Sequence, residues 1–208
     1  MNAAPAVVLF DLDGVLAHYA HAPRLRHLAQ HCGCRDDEVH AALFESGLEN
    51  DADLGLYDDG AQVEELARRL GRPVTLEACV EARRASMQAD PEVLAIAEAV
   101  ARRARVAILT NNNLLLQRHL PRICPPLFPL FEDAVYCSAQ FRAAKPDPAV
   151  FAACLSALGA DPGEVLFVDD KAASAEAAVR AGMRGHHFTS ARALRLELQR
   201  LGLLESAT

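Results

Sequence analysis

Lysine is all but missing from this chain: of its 21 basic residues, only Lys145 and Lys171 are lysines, and the rest are arginines. Also missing is any apolar run as long as a membrane span. The N-terminus has no basic segment followed by an apolar stretch, so no secretory leader is expected. A basic excess is absent too. The formal net charge of −7 argues against a nucleic-acid partner. The sequence therefore predicts a cytoplasmic protein with no membrane and no nucleic acid among its partners. It has no internal repeat and no low-complexity segment. The six cysteines (Cys32, Cys34, Cys79, Cys124, Cys137, Cys154) are scattered through mostly apolar contexts, which predicts reduced core thiols rather than disulfides. Cys32 and Cys34 stand at i and i+2 and do not match a redox pair. What is present is 208 residues, 51% hydrophobic and 24% charged, enough for a large core or for a core plus a smaller insert.

The most informative stretch is Phe10-Asp11-Leu12-Asp13-Gly14-Val15-Leu16. It follows an apolar run, Val7 to Phe10, that reads as a buried parallel strand. Aspartate is a poor strand residue, so the strand should end there with both acids at its carboxyl edge, where open α/β sheets bind ligands. Gly14 allows a tight turn beside them. A carboxylate fixed at such an edge can attack phosphorus and form an aspartyl-phosphate, and its neighbour at i+2 can move protons. A strand followed by an acidic turn is the alternative these residues leave open.

From Ala17 to Ala89 the patterns are helical with no strong strand signal. Leu25, Leu28, Ala29 and Cys32 share one face, as do Val39, Ala42 and Leu43. Asp59 can cap a helix stopped by Gly71, and Thr75 another reaching Ser86. From Asp90-Pro91 onward strands and helices alternate. The expected order is helix Pro91–Arg103, strand Arg105–Thr110, helix around Leu114–Leu120, a short strand Ala134–Tyr136, and a helix opened by Asp147-Pro148. Strand Glu164–Val168, helix Ala172–Ala181, strand Arg184–Phe188 and helix Ala191–Leu201, capped by Ser190, complete it. This predicts an α/β fold, a Rossmann-like parallel sheet with helices on both faces. Its core is residues 1–16 and 90–208, and residues 17–89 form a small helical cap.

Three further strand ends carry polar groups. Thr110-Asn111-Asn112 offers a hydroxyl and turn N–H groups suited to a phosphate oxyanion, although the same residues are ordinary in turns. Lys145-Pro146-Asp147-Pro148 holds one of the two lysines, and a compact ammonium fits a crowded phosphate site better than a guanidinium fork. Lys171 could merely offset the two acids before it. Asp169-Asp170 is a second carboxylate pair. With Asp11 on a neighbouring strand end it could share a Mg²⁺ ion, which takes one or two carboxylates plus substrate phosphate.

In this order, Asp11-Leu12-Asp13-Gly14, Thr110-Asn111, Lys145-Pro146 and Asp169-Asp170 resemble the four motifs of the haloacid dehalogenase-like superfamily. The resemblance covers nearly the whole chain and includes the helical cap between the first two motifs. Its nearest flavour is the small sugar-phosphate phosphatases, to which Lys145 to Phe151 and Phe167 to Asp170 are similar. The resemblance implies Asp11 as nucleophile and Asp13 as the acid and base. It implies Thr110, the Asn111 backbone N–H and Lys145 as phosphate ligands. The metal would be Mg²⁺, held by Asp11, the Asp13 carbonyl, Asp169 and Asp170. The substrate would be a small phosphorylated metabolite; the oligomeric state stays open. Many relatives place another acid four residues after Asp169, where this chain has Ala173. A sugar phosphomutase of the same superfamily, and a regulatory or binding protein with a degenerate site, are the alternatives. Dehalogenases of the superfamily usually lack the aspartate at position 13.

Several residues admit a functional and a plain reading. His18 and Tyr19 could face a leaving group or simply pack. Six acids between Glu45 and Asp59 (Glu45, Glu49, Asp51, Asp53, Asp58, Asp59), with no basic residue among them, read best as a solvated loop. Facing the site, they would disfavour polyanionic substrates. His27, His31 and Cys34 have spacing that could hold Zn²⁺, but exposed histidines on a polar face are the preferred reading. His186 and His187 read as structural.

Overall fold

The apolar run Val7–Phe10 forms the middle strand of a five-stranded sheet, and all four of its residues are buried. The structure, a computed structural model, describes residues 4–205. Along the chain the elements are β1 (Val7–Phe10), β2 (Ala17–Tyr19), α1 (His21–Cys32), α2 (Asp36–His40), α3 (Leu48–Asp53), α4 (Asp59–Leu70), α5 (Leu76–Ser86) and β3 (Met87–Ala89). There follow α6 (Pro91–Val100), β4 (Arg105–Thr110), α7 (Leu114–Ile123), β5 (Val135–Cys137), α8 (Ser138–Phe141), α9 (Pro148–Leu158), β6 (Val165–Asp169), α10 (Ala172–Arg180), β7 (Arg184–His187) and α11 (Ala191–Arg200).

The sheet has the order β5-β4-β1-β6-β7 with every pairing parallel, as the alternation predicts. From β1 the chain builds outward on one side through β4 and β5, then crosses to build β6 and β7 on the other. The order therefore reverses at β1, which is where such sheets open a ligand crevice at their carboxyl edge. Register fixes what meets there. Phe10 pairs with both Ile108 and Val168, so Asp11, Thr110 and Asp169 emerge together from three adjacent strands.

Side chains of β1 alternate between two cores. Val7 and Leu9 pack with Leu109, Phe151 and Phe167 on one face. Val8 and Phe10 face the other, in a buried cluster that runs on without a break into Leu28, Val39, Leu43, Leu66 and Val80 of the insert. Phe10 meets Phe131 edge-on at 6.3 Å, and Phe151 meets Phe167 in the same way at 5.5 Å.

The insert is not wholly helical. Its entry and exit, β2 and β3, form a short antiparallel ribbon with Ala17 opposite Ala89 and Tyr19 opposite Met87. Three-residue strands carrying His18 and Gln88 have too little alternation to show in sequence. Asp58, not Asp59, caps α4, its side chain accepting from the Ala61 N–H at 2.8 Å. Thr75, Asp90, Asp147 and Ser190 cap their helices as expected. A π-helical turn at Ala41–Glu45 continues α2. Helix α6 stops at Val100, earlier than expected, and strand ends move by a residue, the usual scatter at boundaries.

Candidate active site

Lys145 organises the carboxyl edge of the sheet. Its Nζ lies 2.8 Å from Asp11 Oδ1 and donates to Asp169 Oδ2 at 2.7 Å and to the Leu109 carbonyl at 3.0 Å. Three acceptors in fixed directions use all three ammonium hydrogens. That is a demand a planar guanidinium would not meet, so a chain rich in arginine has lysine here. Asp11, Lys145 and Asp169 are 4%, 7% and 0% exposed. The Asn111 side chain grips the Lys145 backbone from both sides: its Nδ2 donates to the carbonyl at 2.9 Å and its Oδ1 accepts from the N–H at 2.8 Å. Lys171 has no such place; its side chain is exposed, and its backbone N–H donates to Asp169 Oδ1 at 2.7 Å.

Burial pushes the Asp11 carboxyl up to about 7, with Asp169 and Asp13 adding to the rise against the pull of Lys145. For Lys145, burial disfavours the charge, but Asp11 and Asp169 outweigh it and hold its pKa above the ordinary value. Asp170 is raised by burial and by the Asp169 charge. Oxygens of Asp11, Asp169 and Asp170 all lie within 4.8 Å of one another. Asp170 Oδ1 is buried with no hydrogen-bond partner. Three carboxylates against one ammonium, with a spare buried oxygen, fit a hard divalent cation such as Mg²⁺. Asp170 occupies the cluster although position 173 carries no acid. Gly14 makes room for it: φ is +85°, and a Cβ there would stand 2.7 Å from Asp170 Oδ2.

Asp13 is held apart from this cluster. Its Oδ2 accepts from Asn112 Nδ2 at 2.9 Å, and the same amide donates to Thr110 Oγ1 at 2.9 Å. Asn112 was not expected as a site residue. The run Asn111-Asn112-Asn113 was the available signal, because each amide has different work. Asn111 braces Lys145, Asn112 joins Asp13 to Thr110, and Asn113 caps α7 by accepting from the Leu116 N–H at 3.0 Å. Asn113 also donates to Asp53 Oδ1 at 3.1 Å.

The acidic stretch Glu45–Asp59 is not the solvated loop expected. Glu49, 7% exposed, takes a two-bond clasp from Arg24 at 2.6 and 2.9 Å and a third bond from Arg83 at 2.5 Å. Burial would raise its pKa, but the two guanidinium groups hold it down at about 2. Burial and the Glu49 charge lift Asp53 to about 8. The partners come from α1 and α5, too far along the sequence to be read as partners. Tyr19 belongs to this network: its hydroxyl accepts from Arg24 Nη1 at 3.2 Å and its ring lies 5.2 Å from the Arg83 guanidinium. His18 is exposed and sits 3.4 Å from Asp90. Among the described residues, Asp11, Asp169 and Asp170 form the one cluster of side chains that could hold a metal ion, so His27, His31 and Cys34 are not gathered for zinc. All six cysteines are free. His187 Nε2 lies 3.0 Å from the Asp170 carbonyl, while His186 Nε2 is buried without a partner. A groove of about 690 Å³ runs along β5 and α7, lined by none of the predicted site residues.

A family model for haloacid dehalogenase-like hydrolases matches residues 5–182. The chain belongs to this family. It is a hydrolase of the haloacid dehalogenase-like type, as its four motifs imply, and the carboxyl-edge cluster stands where those motifs fall. A phosphatase of Mycobacterium tuberculosis is 41% identical over 92 residues, 44% of this chain and 42% of that protein. The chain thus aligns with less than half the length of this curated relative. A haloacid dehalogenase family enzyme of Bacteroides thetaiotaomicron, solved with magnesium and inorganic phosphate, superposes with a TM-score of 0.72 at 20% identity, covering 88% of this chain and 93% of the other. An L-2-haloacid dehalogenase of Xanthobacter autotrophicus, with chloropropionic acid covalently bound, gives a TM-score of 0.60 at 22% identity, covering 93% and 82%. Among the described residues, no helix is long and apolar enough to cross a membrane.

Proposed function

We infer that this hydrolase is a Mg²⁺-dependent phosphatase that cleaves a small phosphomonoester, a sugar phosphate or similar metabolite, through an aspartyl-phosphate on Asp11. The observation that carries this reading is the division of the two acids of the first motif. Asp11 is bound to Lys145 and faces Asp169, while Asp13 is bound to Asn112 beside Thr110. Two carboxylates in two environments can take two roles. The Asp11 carboxylate attacks phosphorus and the ester P–O bond breaks as Asp13 gives its proton to the leaving oxygen. Asp13 then takes a proton from the water that attacks the aspartyl-phosphate, which releases phosphate and restores Asp11. The Thr110 hydroxyl and the Asn111 backbone N–H hold the phosphoryl oxygens. Lys145, whose three hydrogens go to Asp11, Asp169 and the Leu109 carbonyl, gives up one of these partners to bind the phosphoryl group when substrate enters. Asp11, Asp169, Asp170 and the Asp13 carbonyl are the groups that would hold Mg²⁺, which supplies charge neutralisation at the transferring phosphoryl group. Residues 17–89 act as the cap over this edge. The mycobacterial relative's name and the magnesium and phosphate of the Bacteroides enzyme support the reading.

Phosphate release from 4-nitrophenyl phosphate, with and without Mg²⁺, tests it beside Asp11→Asn. The expected result is Mg²⁺-dependent release that the variant loses by about 10³-fold or more. No release by the wild type with any divalent metal overturns the hydrolase reading, and activity surviving Asp11→Asn overturns the nucleophile. A screen of metabolite phosphates then identifies the substrate.

A further inference from the structure

Asn112 joins the insert to the first motif. Its side chain is 2% exposed and every polar group on it is used. Nδ2 donates to Asp13 and Thr110, Oδ1 accepts from Arg83 Nη2 at 3.2 Å, and the backbone N–H donates to Ser138 Oγ at 3.0 Å. An amide has two faces of opposite polarity, and its partners decide which way it points. Arg83 has donors only, so it must face Oδ1, and this turns the NH₂ group toward Asp13. Rotated by half a turn, the amide would set its oxygen against the Asp13 carboxylate. Arg83 is itself pinned by Glu49 at 2.5 Å and lies over the Tyr19 ring. The consequence falls on Asp13: Oδ2 is held, while Oδ1 is buried with no hydrogen-bond partner.

We propose that Asn112 is the positioning residue of Asp13 and that Arg83 acts through it, so that Asp13 presents Oδ1 as the oxygen that exchanges the proton. This rests on the phosphatase reading above. The guanidinium sits on α5 of the insert and the acid follows β1 of the core. The alignment of Asp13 therefore depends on Arg83 of α5 reaching Asn112 in the turn after β4.

The test compares kcat/KM on an alkyl phosphate and on 4-nitrophenyl phosphate. An alkoxide leaves only with a proton, whereas nitrophenolate leaves without one, so a misplaced acid slows the first substrate selectively. General acid catalysis contributes about 10²–10⁴-fold, and losing part of it should cost Asn112→Ala about tenfold or more on the alkyl ester. On the aryl ester the loss should be several-fold smaller, because no acid is needed there and only the Asn112 bond to Thr110 counts. Arg83→Gln should show the same selective loss, Arg83→Lys should recover part of it, and the Asn112→Ala/Arg83→Gln double variant should lose no more than Asn112→Ala alone. Equal losses on both esters, or no loss, overturn the positioning role; additive losses overturn the link through Asn112. Should Asn112→Ala melt before assay temperature, the Arg83→Gln and Arg83→Lys pair decides by the same split. Asp13→Asn separates the two levels. If it spares the alkyl ester, the acid assignment itself fails. If it is selectively slow while Asn112→Ala is not, the positioning proposal alone fails.

Discussion

Lys145 shows how much one residue type can settle. Its three bonds, to Asp11, Asp169 and the Leu109 carbonyl, match the three hydrogens of an ammonium among almost wholly buried partners. Lys145→Arg keeps the charge and loses the geometry. Phosphatase kcat is expected to fall by about 10²-fold, the usual effect of removing one preorganised donor; a variant with wild-type kcat would contradict the fit. Asp53 makes a different point, about stability. Its carboxyl is held at about 8 in the folded chain and near 4 when unfolded. The fold therefore binds this proton more tightly than the unfolded chain does. The resulting stabilisation is complete below the unfolded pKa and is lost as pH rises through the folded one. Asp53→Asn keeps the uncharged form and an acceptor for Asn113. Its advantage over the wild type in denaturant melts should grow between pH 4 and pH 8, by on the order of 1 kcal/mol or more. A gap that shrinks with rising pH would refute this.

At the scale of elements, turns and caps decide which side chains reach the site. The link between α3 and α4 passes so near α8 that a Cβ on Gly55 would lie 2.2 Å from the Ala139 carbonyl oxygen, at φ +73°. Backbone cannot give way as a side-chain tip can. Gly55→Ala should therefore destabilise by about 2 kcal/mol or more in equilibrium unfolding, above the ordinary cost of losing glycine at positive φ. Ser138, at the start of α8, ties the same corner by donating to the Asp53 carbonyl at 2.6 Å and receiving the Asn112 N–H. The elements themselves were largely legible in sequence. Asp90-Pro91, Asp147-Pro148, Thr75 and Ser190 announce helix starts by their own chemistry, and apolar runs announce β1, β4 and β6. The β2–β3 ribbon was not, since three residues whose partners lie some seventy positions away leave no local pattern.

For the whole molecule, the buried Arg24–Glu49–Arg83 cluster ties α1, α3 and α5 to one another and to the turn after β4. Removing its acid would strand two buried guanidinium groups. Glu49→Ala should cost about 3–5 kcal/mol, read as a lower denaturation midpoint. A change under about 1 kcal/mol would mean that water reaches the cluster. Since the core on the Phe10 face runs unbroken into the insert, that loss should appear in one cooperative transition rather than in the insert alone.

The sequence by itself determined the parallel α/β sheet, the strand ends that carry Asp11, Thr110 and Asp169, and membership of a hydrolase family whose motifs are local strings; Lys145, expected at a strand end, instead comes from the loop between α8 and α9. Each of those features lives within a few residues, where strand propensity, capping and turn chemistry act. Only the tertiary structure decided how Asp13 is held, why Glu49 is buried and what Asn112 does. These depend on partners from helices far apart in the chain. Burial makes each such partnership obligatory, because a buried polar group must find a partner wherever the fold supplies one.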